Sequence, residues 1–406
     1  MNSEISPGST DATANPWRTQ ITLLTLAHVV GTIGYLSVMT MAPVIRGELG
    51  LNATQVGSLM SAYYLGLTIG AIPGGVLVDR LGVGTSLVAA TAMLAAGAAI
   101  FASAGSYPPA VTATLVMGLG YSLVNPATAK GVLEWFKPEH RATAMGVKQM
   151  GVPIGGLVAS AFGAIVVFVP WRNVMWITAA LTIIVGLFWW RRQVRPKAVR
   201  GGLGAVLIDL RAVYTNRRLG IMNIASVTFN FGQQSFSTYL TLFLRDVAGA
   251  SQPFAALCMG LAQVSGATGR VFWAFVSDRF TGGRRKGIMV GTAGTAALAM
   301  ALAAAVDASW PEIYLALLAL LLGGTVLAYA ALLHTICAET VAPKLAGAAI
   351  GSNLFATSIG GTIGPIVFGA TVDATGSYTP AWLVTAGVLA AGVILFAVKF
   401  REVRTD

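Results

Sequence analysis

The sequence is poor in charged residues. Only 10% of its 406 residues are Asp, Glu, Lys or Arg, whereas a soluble domain carries about 25%. Residues of the set AVILMFWYC make up 55%, and 48 more are Gly, so a soluble globule of this size would lack the polar residues to cover its surface. The composition excludes most soluble enzymes and nucleic-acid partners, and it indicates an integral membrane protein.

Motifs for covalent chemistry are also scarce. The two cysteines, Cys258 and Cys337, lie in apolar stretches without the spacing of a zinc or haem site. We find no P-loop, no Gly-x-Ser-x-Gly elbow and no His-Glu-x-x-His motif. The sequence therefore predicts no cofactor, no metal site, no catalytic residues and no coupling to ATP, which excludes the common enzyme classes.

Long apolar runs divide the chain. A helix needs about 20 apolar residues to cross a bilayer, and we count twelve such spans, at 19–44, 55–78, 84–104, 108–132, 142–169, 171–190, 219–244, 253–277, 287–306, 312–337, 346–371 and 379–399. The predicted regions are a tail (1–18), a six-helix bundle (19–190), a central loop (191–218), a second six-helix bundle (219–399) and a second tail (400–406).

The basic residues set the predicted orientation. If both termini and the even-numbered connections are cytoplasmic, 21 Lys and Arg lie inside and only Arg46, Arg172 and Arg245 lie outside, as the positive-inside rule requires. The central loop has apolar residues at helical spacing between Leu203 and Val213. This pattern is typical of a helix on the inner membrane surface, although a simple tether between the halves also fits.

Two segments of the first half recur in the second half. Gly75-Val-Leu-Val-Asp79-Arg80-Leu-Gly82 is repeated around Asp278-Arg279, 199 residues later, and Gly151-Val-Pro153-Ile-Gly155-Gly156 is repeated around Gly360-Gly361-Thr-Ile-Gly364-Pro365. Both matches relate span n to span n plus six in the same orientation. The predicted fold is therefore an all-α membrane protein, with twelve transmembrane helices in two parallel six-helix repeats around a central cavity.

The first repeated segment resembles the cytoplasmic signature of the major facilitator superfamily, Gly-x-Leu-x-Asp-Arg-x-Gly followed by two basic residues. Val83 and Gly84 replace the basic pair here. The resemblance implies transport by alternating access and a gating role for Gly75, Asp79, Arg80, Gly82, Asp278 and Arg279. Physically, a charged cluster at a helix end can bind a neighbouring helix end in one conformation and release it in another. The alternative is that these charges only mark a solvated loop.

Two bases lie inside predicted spans. All fifteen acids fall in loops, tails or span ends, and so does every base except Lys148 and Arg270. A charge at the bilayer centre costs at least about 2.5–3.5 kcal/mol, so one that persists is a functional candidate. Without an acidic partner the two cations require an anion, and a guanidinium binds a carboxylate through two parallel hydrogen bonds. Alternatively, Lys148 snorkels to the cytoplasm and backbone carbonyls satisfy Arg270.

Gly269-Arg270 before Ser277-Asp278-Arg279 is similar to span eight of the monocarboxylate and oxalate/formate branches, where an arginine holds the substrate carboxylate. Gly266 stands where the animal monocarboxylate carriers have an aspartate, and span eleven has Asn353 and no base. The resemblance also implies that spans five and eight meet where the halves touch. Lys148-Gln149 would then supply the second polar contact.

Polar side chains at helical spacing complete the predicted substrate site. Besides Arg270 and Lys148 it contains His28, Tyr35, Tyr121, Asn125, Gln149, Asn230, Gln234, Gln263, Tyr329 and Asn353. They lie on spans that face the cavity in the superfamily, whereas spans three, six, nine and twelve are nearly free of such groups. Each residue taken alone fits equally a hydrogen bond between helices.

The sequence thus predicts a secondary active transporter of a small organic anion, a mono- or dicarboxylate. It would be a monomer in a bacterial inner membrane, with lipid and the anionic substrate as its partners. Two coupling modes fit: proton symport through Lys148 or His28, and anion exchange in which only the loaded carrier reorients. Competing predictions are a carrier that exports drugs or metabolites and a membrane sensor that transports nothing.

Overall fold

The structure, a computed structural model, describes residues 17–191, 215–281, 285–341 and 345–401. Within these ranges the chain forms 14 α-helices, one short 3-10 turn and one π-helical segment. Most of the predicted N-terminal tail, the apolar pattern between Leu203 and Val213 and the last five residues lie outside the described residues.

The first half contains seven helices. They are α1 (Gln20–Thr40), α2 (Ala42–Leu49), α3 (Ala53–Ala102), α4 (Tyr107–Trp135), α5 (Arg141–Gln149), α6 (Gly151–Ile165) and α7 (Trp171–Trp190). Helix α3 is two predicted spans joined at Gly82, whose φ of 79° and ψ of 171° interrupt the helix. Such a positive φ favours glycine, so Gly82 makes the turn at which the chain reverses direction.

The second half also contains seven α-helices. It consists of α8 (Arg217–Asp246), α9 (Gln252–Phe280), α10 (Arg285–Ala303), α11 (Glu312–Leu322), a π-helical segment (Gly323–Leu327), α12 (Ala330–Glu339), α13 (Ala346–Thr375) and α14 (Tyr378–Lys399). Seven helices of the described chain are long and apolar enough to cross a membrane by length and composition, among them α4, α7, α10 and α14. Among the predicted spans outside these seven, spans five and ten are broken into shorter helices, and spans seven and eight carry polar groups.

Two breaks correct the expectation of continuous spans. Span five divides at Met150 into α5 and α6, because Pro153 has no N–H for the carbonyl of Gln149 and its ring crowds that carbonyl. Span ten changes from α-helix to π-helix at Gly323 and becomes α-helical again at Ala330. Short π-helical segments are frequent at functional sites because they leave backbone groups free.

The halves pack through two helix pairs, α6 with α9 and α3 with α13. In the first pair, a Cβ on Gly156 would lie 2.6 Å from Cδ of Gln263. In the second, a Cβ on Gly361 would lie 2.6 Å from the ring of Tyr64. The sequence repeat relates α3 to α9 and α6 to α13. Each packed pair therefore joins a helix with the first repeated segment (α3 or α9) to a helix with the second (α6 or α13). This is the arrangement that a duplicated bundle with twofold pseudosymmetry requires.

One end of the molecule, which we call the joined end, holds the halves together by hydrogen bonds. Side chains of the second half bind backbone groups of the first: Tyr239 donates to the carbonyl of Ala53 (2.7 Å) and Thr241 to that of Met39 (2.9 Å). Gln252 donates to the carbonyls of Thr40 (2.9 Å) and Gly163 (3.0 Å), and Asp373 accepts from the N–H groups of Ala53 (2.9 Å) and Thr54 (2.8 Å).

The opposite end carries the repeated Asp-Arg segments, and we call it the motif end. Here Lys130 pairs with Asp79 within the first half (3.2 Å), and Arg285 pairs with Glu339 within the second (3.0 Å). Lys130 also donates to the backbone carbonyl of Val78 (3.2 Å). These charged groups therefore brace each half internally.

Candidate functional site

Lys148 lies in the last turn of α5 and is only 2% exposed. Its ammonium group donates to the hydroxyl of Thr128 on α4 (3.0 Å) and lies 3.4 Å from Nε2 of His28 on α1. The side chain therefore ends inside the first half and does not snorkel to the membrane surface.

His28 is wholly buried and connects this lysine to a tyrosine. Its Nε2 lies 3.0 Å from the hydroxyl of Thr128, and its Nδ1 lies 3.2 Å from the hydroxyl of Tyr121. We call Lys148, Thr128, His28 and Tyr121 the basic relay. It brings together side chains from α1, α4 and α5, which are far apart in sequence.

Arg270 in α9 is anchored to the π-helical segment. Its Nε donates to the backbone carbonyl of Leu327 (3.0 Å), and one turn later Trp273 donates to the carbonyl of Gly324 (2.9 Å). The helices approach closely because a Cβ on Gly269 would lie only 2.9 Å from Cβ of Ala328. In the part of the chain that the structure describes, the other four N–H donors of Arg270 have no hydrogen-bond acceptor.

Five tyrosines interact with one another beside Arg270, and we call them the tyrosine wall: Tyr35, Tyr63, Tyr64, Tyr121 and Tyr329. Tyr35, Tyr121 and Tyr329 lie near enough to the guanidinium to interact with it electrostatically. Tyr35 stacks on Tyr63 with ring centroids 4.1 Å apart. Tyr121 belongs to both the basic relay and the tyrosine wall: it contacts His28 of the relay and interacts electrostatically with Arg270 of the other half.

The centre of the molecule is positively charged. Over the described ranges, neither Lys148 nor Arg270 has a carboxylate oxygen within ion-pair distance. The acids that do form ion pairs, Glu48, Asp79, Asp246 and Glu339, lie near helix ends. The premise drawn from the sequence, two bases without a fixed acidic partner, therefore holds for the residues described.

The remaining predicted residues fall into two groups. Asn125 and Gln149 are half-buried, and within the described chain their side-chain amides have no hydrogen-bond partner. Asn230 instead donates to the backbone carbonyl of Thr357 (2.6 Å) and accepts from Gln234 (3.1 Å), beside Tyr64.

Two predicted contacts are used in helix packing. Gln263 lies against Gly156 at the contact between α6 and α9. Asn353 is fully buried and donates to Asn223 (3.0 Å) and Ser226 (2.7 Å) of α8. Asn353 therefore contacts α8 through its amide N–H groups, and its role in substrate binding stays a prediction.

Sequence reasoning missed three members of this centre, Thr128, Tyr63 and Tyr64. Thr128 had a usable signal, because it follows Tyr121 by seven residues and Asn125 by three, which is one face of a helix. The two adjacent tyrosines of span two had no periodic partner. Only the packing of α3 against α1 and α13 brings them to Tyr35 and Tyr121, which interact with Arg270.

Among the predicted gating residues, Asp79 pairs with Lys130 and Gly82 makes the turn inside α3. Gly75 has open space around its Cβ position. Arg80 is exposed at the motif end, and so is Arg279, in the last turn of α9 beside Asp278. The structure brings the first copy of the motif against α4 of its own half.

Twelve spans in two related halves around a polar centre define the architecture of a membrane transport protein. The family model described as Major Facilitator Superfamily matches residues 24–310 and 268–406. The chain therefore belongs to the Major Facilitator Superfamily, and it is an integral membrane transporter rather than an enzyme.

Relatives of the same length support this assignment. The chain is 25% identical to the "Hexuronate transporter" of Bacillus subtilis (strain 168), over 94% of this chain and 93% of that one. It is also 25% identical to the "Probable L-galactonate transporter" of Escherichia coli (strain K12), over 96% and 91%. Its fold matches the crystal structure of nucleoside transporter NupG with a TM-score of 0.77 and 18% identity, over 93% of this chain and 98% of that one.

Proposed function

We propose that this transporter carries a small organic anion with one or two carboxylates. The observation that carries the proposal is a pair of cations at the centre of the molecule, Lys148 and Arg270, without a paired carboxylate among the described residues. Such charges are costly inside a membrane protein unless a ligand neutralises them. Relatives named for hexuronate and L-galactonate, both sugar acids, support a carboxylate as cargo.

Arg270 is the proposed carboxylate ligand. Its free N–H groups form a planar fork that matches two carboxylate oxygens, while the carbonyl of Leu327 holds the other edge of the guanidinium. The hydroxyl of Tyr63 is buried and has no partner within the described ranges. Together with the amides of Asn125 and Gln149 it provides hydrogen bonds for the polar groups of a substrate such as a sugar acid.

We further propose that the motif end faces the cytoplasm of a bacterial inner membrane. The distribution of 21 basic residues inside against three outside supports this orientation. The joined end is then the periplasmic side. Opening that end while the motif end closes would move the two bundles, residues 19–190 and 219–399, around the fixed centre and expose it alternately.

Proton symport is the coupling mode that we propose for this centre. The supporting observation is the 3.4 Å contact between Lys148 and His28. It places two bases that can hold a proton beside Tyr121, which interacts electrostatically with Arg270. Acid-stimulated uptake in vesicles that contain no internal anion would support symport. Strict dependence on an anion inside the vesicles would instead establish exchange.

The function is tested by uptake into proteoliposomes of labelled glucuronate, galactonate, succinate and acetate. Replacing Arg270→Gln should lower uptake of the transported anion at least about 30-fold, since removing one partner of a buried charge pair costs 2 kcal/mol or more. Arg245→Gln is the matched control, because Arg245 is exposed at the joined end. Undiminished uptake by Arg270→Gln would overturn the proposed role of this residue, and uptake of none of the anions would overturn the function.

A further inference from the structure

The hydroxyl of Thr128 has four polar neighbours and one hydrogen. It donates to the backbone carbonyl of Val124 at 2.7 Å, its shortest contact, rather than to that of Asn125 at 3.1 Å. Its two lone pairs then remain for Lys148 Nζ and His28 Nε2, each 3.0 Å away. Since a hydroxyl offers one donor and two acceptor positions, this arrangement satisfies Thr128 completely and assigns a hydrogen to Nε2 of His28. The Lys148 ammonium, 3.4 Å from Nε2, is then a neighbouring donor and not a hydrogen-bond partner of His28.

That requirement determines what His28 presents to Tyr121. If the imidazole is neutral, its only hydrogen is on Nε2, so Nδ1 accepts the hydroxyl hydrogen of Tyr121 across 3.2 Å. The hydroxyl hydrogen of Tyr121 is then used by His28 and is not offered to a ligand. If His28 is protonated, Nδ1 becomes a donor, and the hydroxyl hydrogen of Tyr121 is released to point elsewhere.

We propose that protonation of His28 converts Tyr121 from a hydrogen-bond donor to His28 into a hydrogen-bond donor for the bound anion. His28 is thus the positioning residue that makes proton and anion bind together. This inference rests on the proposed function, because it needs an anion at Arg270. The proton comes from solvent, binds Nδ1 of His28 and leaves with the anion on the other side of the membrane.

The surroundings of His28 fit this role. The titratable groups that face it, within the described part of the chain, are Lys148 on α5 and Tyr121 on α4. Tyr63 on α3 contacts Tyr121, with ring centroids 6.1 Å apart, and Arg270 on α9 interacts with Tyr121 from the other half. A charged His28 beside Lys148 adds a repulsion that a bound anion offsets, so an empty site favours neutral His28.

The charge balance follows directly. The empty site holds the charges of Lys148 and Arg270, and one proton plus one monocarboxylate leaves the sum unchanged. A monocarboxylate should therefore be carried without net charge movement. Uptake should not respond when a potassium gradient with valinomycin sets the membrane potential, and a tenfold stimulation by potential would overturn one-to-one coupling.

The tautomer can be measured without knowing the substrate. The chain has three histidines, so 15N-histidine-labelled protein in nanodiscs gives few signals, and the variants His140→Gln and His334→Gln assign them. In the empty protein we expect His28 to be neutral with its hydrogen on Nε2. A hydrogen on Nδ1 in the neutral ring would overturn the inference, whether or not the anion proposal holds.

The second test is the pH profile of uptake of the best anion from the panel. Wild-type apparent affinity should rise up to about tenfold for each unit of acidification while one proton is taken up. His28→Gln cannot take up this proton, so its profile should be flat. Adding Tyr121→Phe to His28→Gln should lower the apparent affinity for the anion little further. His140→Gln, an exposed histidine in the 3-10 turn, should keep the wild-type profile.

A wild-type slope in His28→Gln would overturn the inference while uptake itself still supports the proposed function. If the wild-type protein binds none of the anions, the function fails, and the 15N spectrum of the empty protein remains the test of the hydrogen-bond pattern. If His28→Gln does not fold, addition of the anion to labelled wild-type protein decides. His28 should shift to the doubly protonated form, and an unchanged signal would contradict the proposal.

Discussion

The two ends of the molecule use polar groups in opposite ways. At the joined end, side chains of the second half bind the backbone of the first half, as Tyr239 does with Ala53. At the motif end, the pairs Lys130 with Asp79 and Arg285 with Glu339 each remain inside one half. The first arrangement holds the halves together, and the second stiffens each half as a separate body.

This difference suits a protein that must open one end at a time. A hydrogen bond contributes only about 0.5–1.5 kcal/mol net, so the contacts of the joined end hold it closed by a modest free energy that a ligand can offset. Charged groups that brace each half do not have to break when the halves move. The following predictions weaken the joined end in decreasing order of expected effect.

One measurement serves all four predictions. Spin labels at Ser103 and Ala374, both exposed at the joined end in different halves, report their separation by double electron–electron resonance. Cys258 and Cys337 are buried and free, and both are replaced by alanine in this background. A closed joined end gives a single short distance, and an open one adds a longer distance.

Gly57→Val should have the largest effect. A Cβ at this position would clash with the carbonyl of Pro365 and the hydroxyl of Tyr239, and a backbone carbonyl in a helix cannot move away. Overpacking of this kind costs about 3 kcal/mol at the upper end of its range. We expect mainly the longer distance and loss of uptake. Gly47→Val, where a Cβ has open space, is the control and should resemble wild type.

Tyr239→Phe should follow. It leaves the carbonyl of Ala53 without this donor, at a cost of about 1–3 kcal/mol, while the ring still stacks on Phe368 with centroids 4.4 Å apart. We expect a mixture of both distances. Tyr107→Phe is the matched control, because the hydroxyl of Tyr107 forms a hydrogen bond with Ser58 of the same half (2.8 Å). An equal shift in both variants would refute the distinction between contacts across and within halves.

Asp373→Ala should have a smaller effect. Its carboxylate accepts hydrogen bonds from the first N–H groups of α3, those of Ala53 and Thr54, and loss of such a cap costs about 0.5–2 kcal/mol. Asp373 uses both carboxylate oxygens, whereas an Asn amide has one acceptor oxygen, so Asp373→Asn should restore only part of the short distance. Identical spectra for wild type and Asp373→Ala would show that the cap does not hold this end closed.

Arg46→Gln should have the smallest effect. Its ion pair with Asp246 crosses the halves, but the two side chains are 34% and 37% exposed, and exposed pairs contribute about 0.2–1 kcal/mol. The difference from wild type should vanish in about 1 M salt, where screening is strong. Lys130→Gln at the motif end should leave this distance unchanged. A shift as large as that of Tyr239→Phe would contradict the ranking.

Much of the fold could be predicted from sequence, because span length and the cost of buried charge depend on local composition. The repeated segments around Asp79 and Asp278 located helices that structure and family membership place in a duplicated bundle. The π-helical segment at Gly323 was not predicted, because the Gly323-Gly324 pair signals a local break in a helix but does not specify a π-helix. Its role, to hold Arg270 through Leu327, depends on a backbone carbonyl.

The candidate site was predicted in part for the same reason. Lys148 and Arg270 could be identified from the sequence, because they are the two charged residues that lie inside predicted spans. The enclosure of Asn353 by Asn223 and Ser226 was hidden, because a polar residue looks the same in sequence whether it faces a cavity or a neighbouring helix.

The sequence by itself determined that this is a membrane protein with a duplicated bundle and two bases inside its spans, since hydropathy, periodicity and charge are properties of the residues themselves. Only the tertiary structure decided which groups those bases meet and how one end is closed. Every residue has the same backbone N–H and C=O, so nothing in the sequence around Ala53 or Leu327 marks it as the partner of a distant side chain. Packing selects those partners by bringing particular helix ends together.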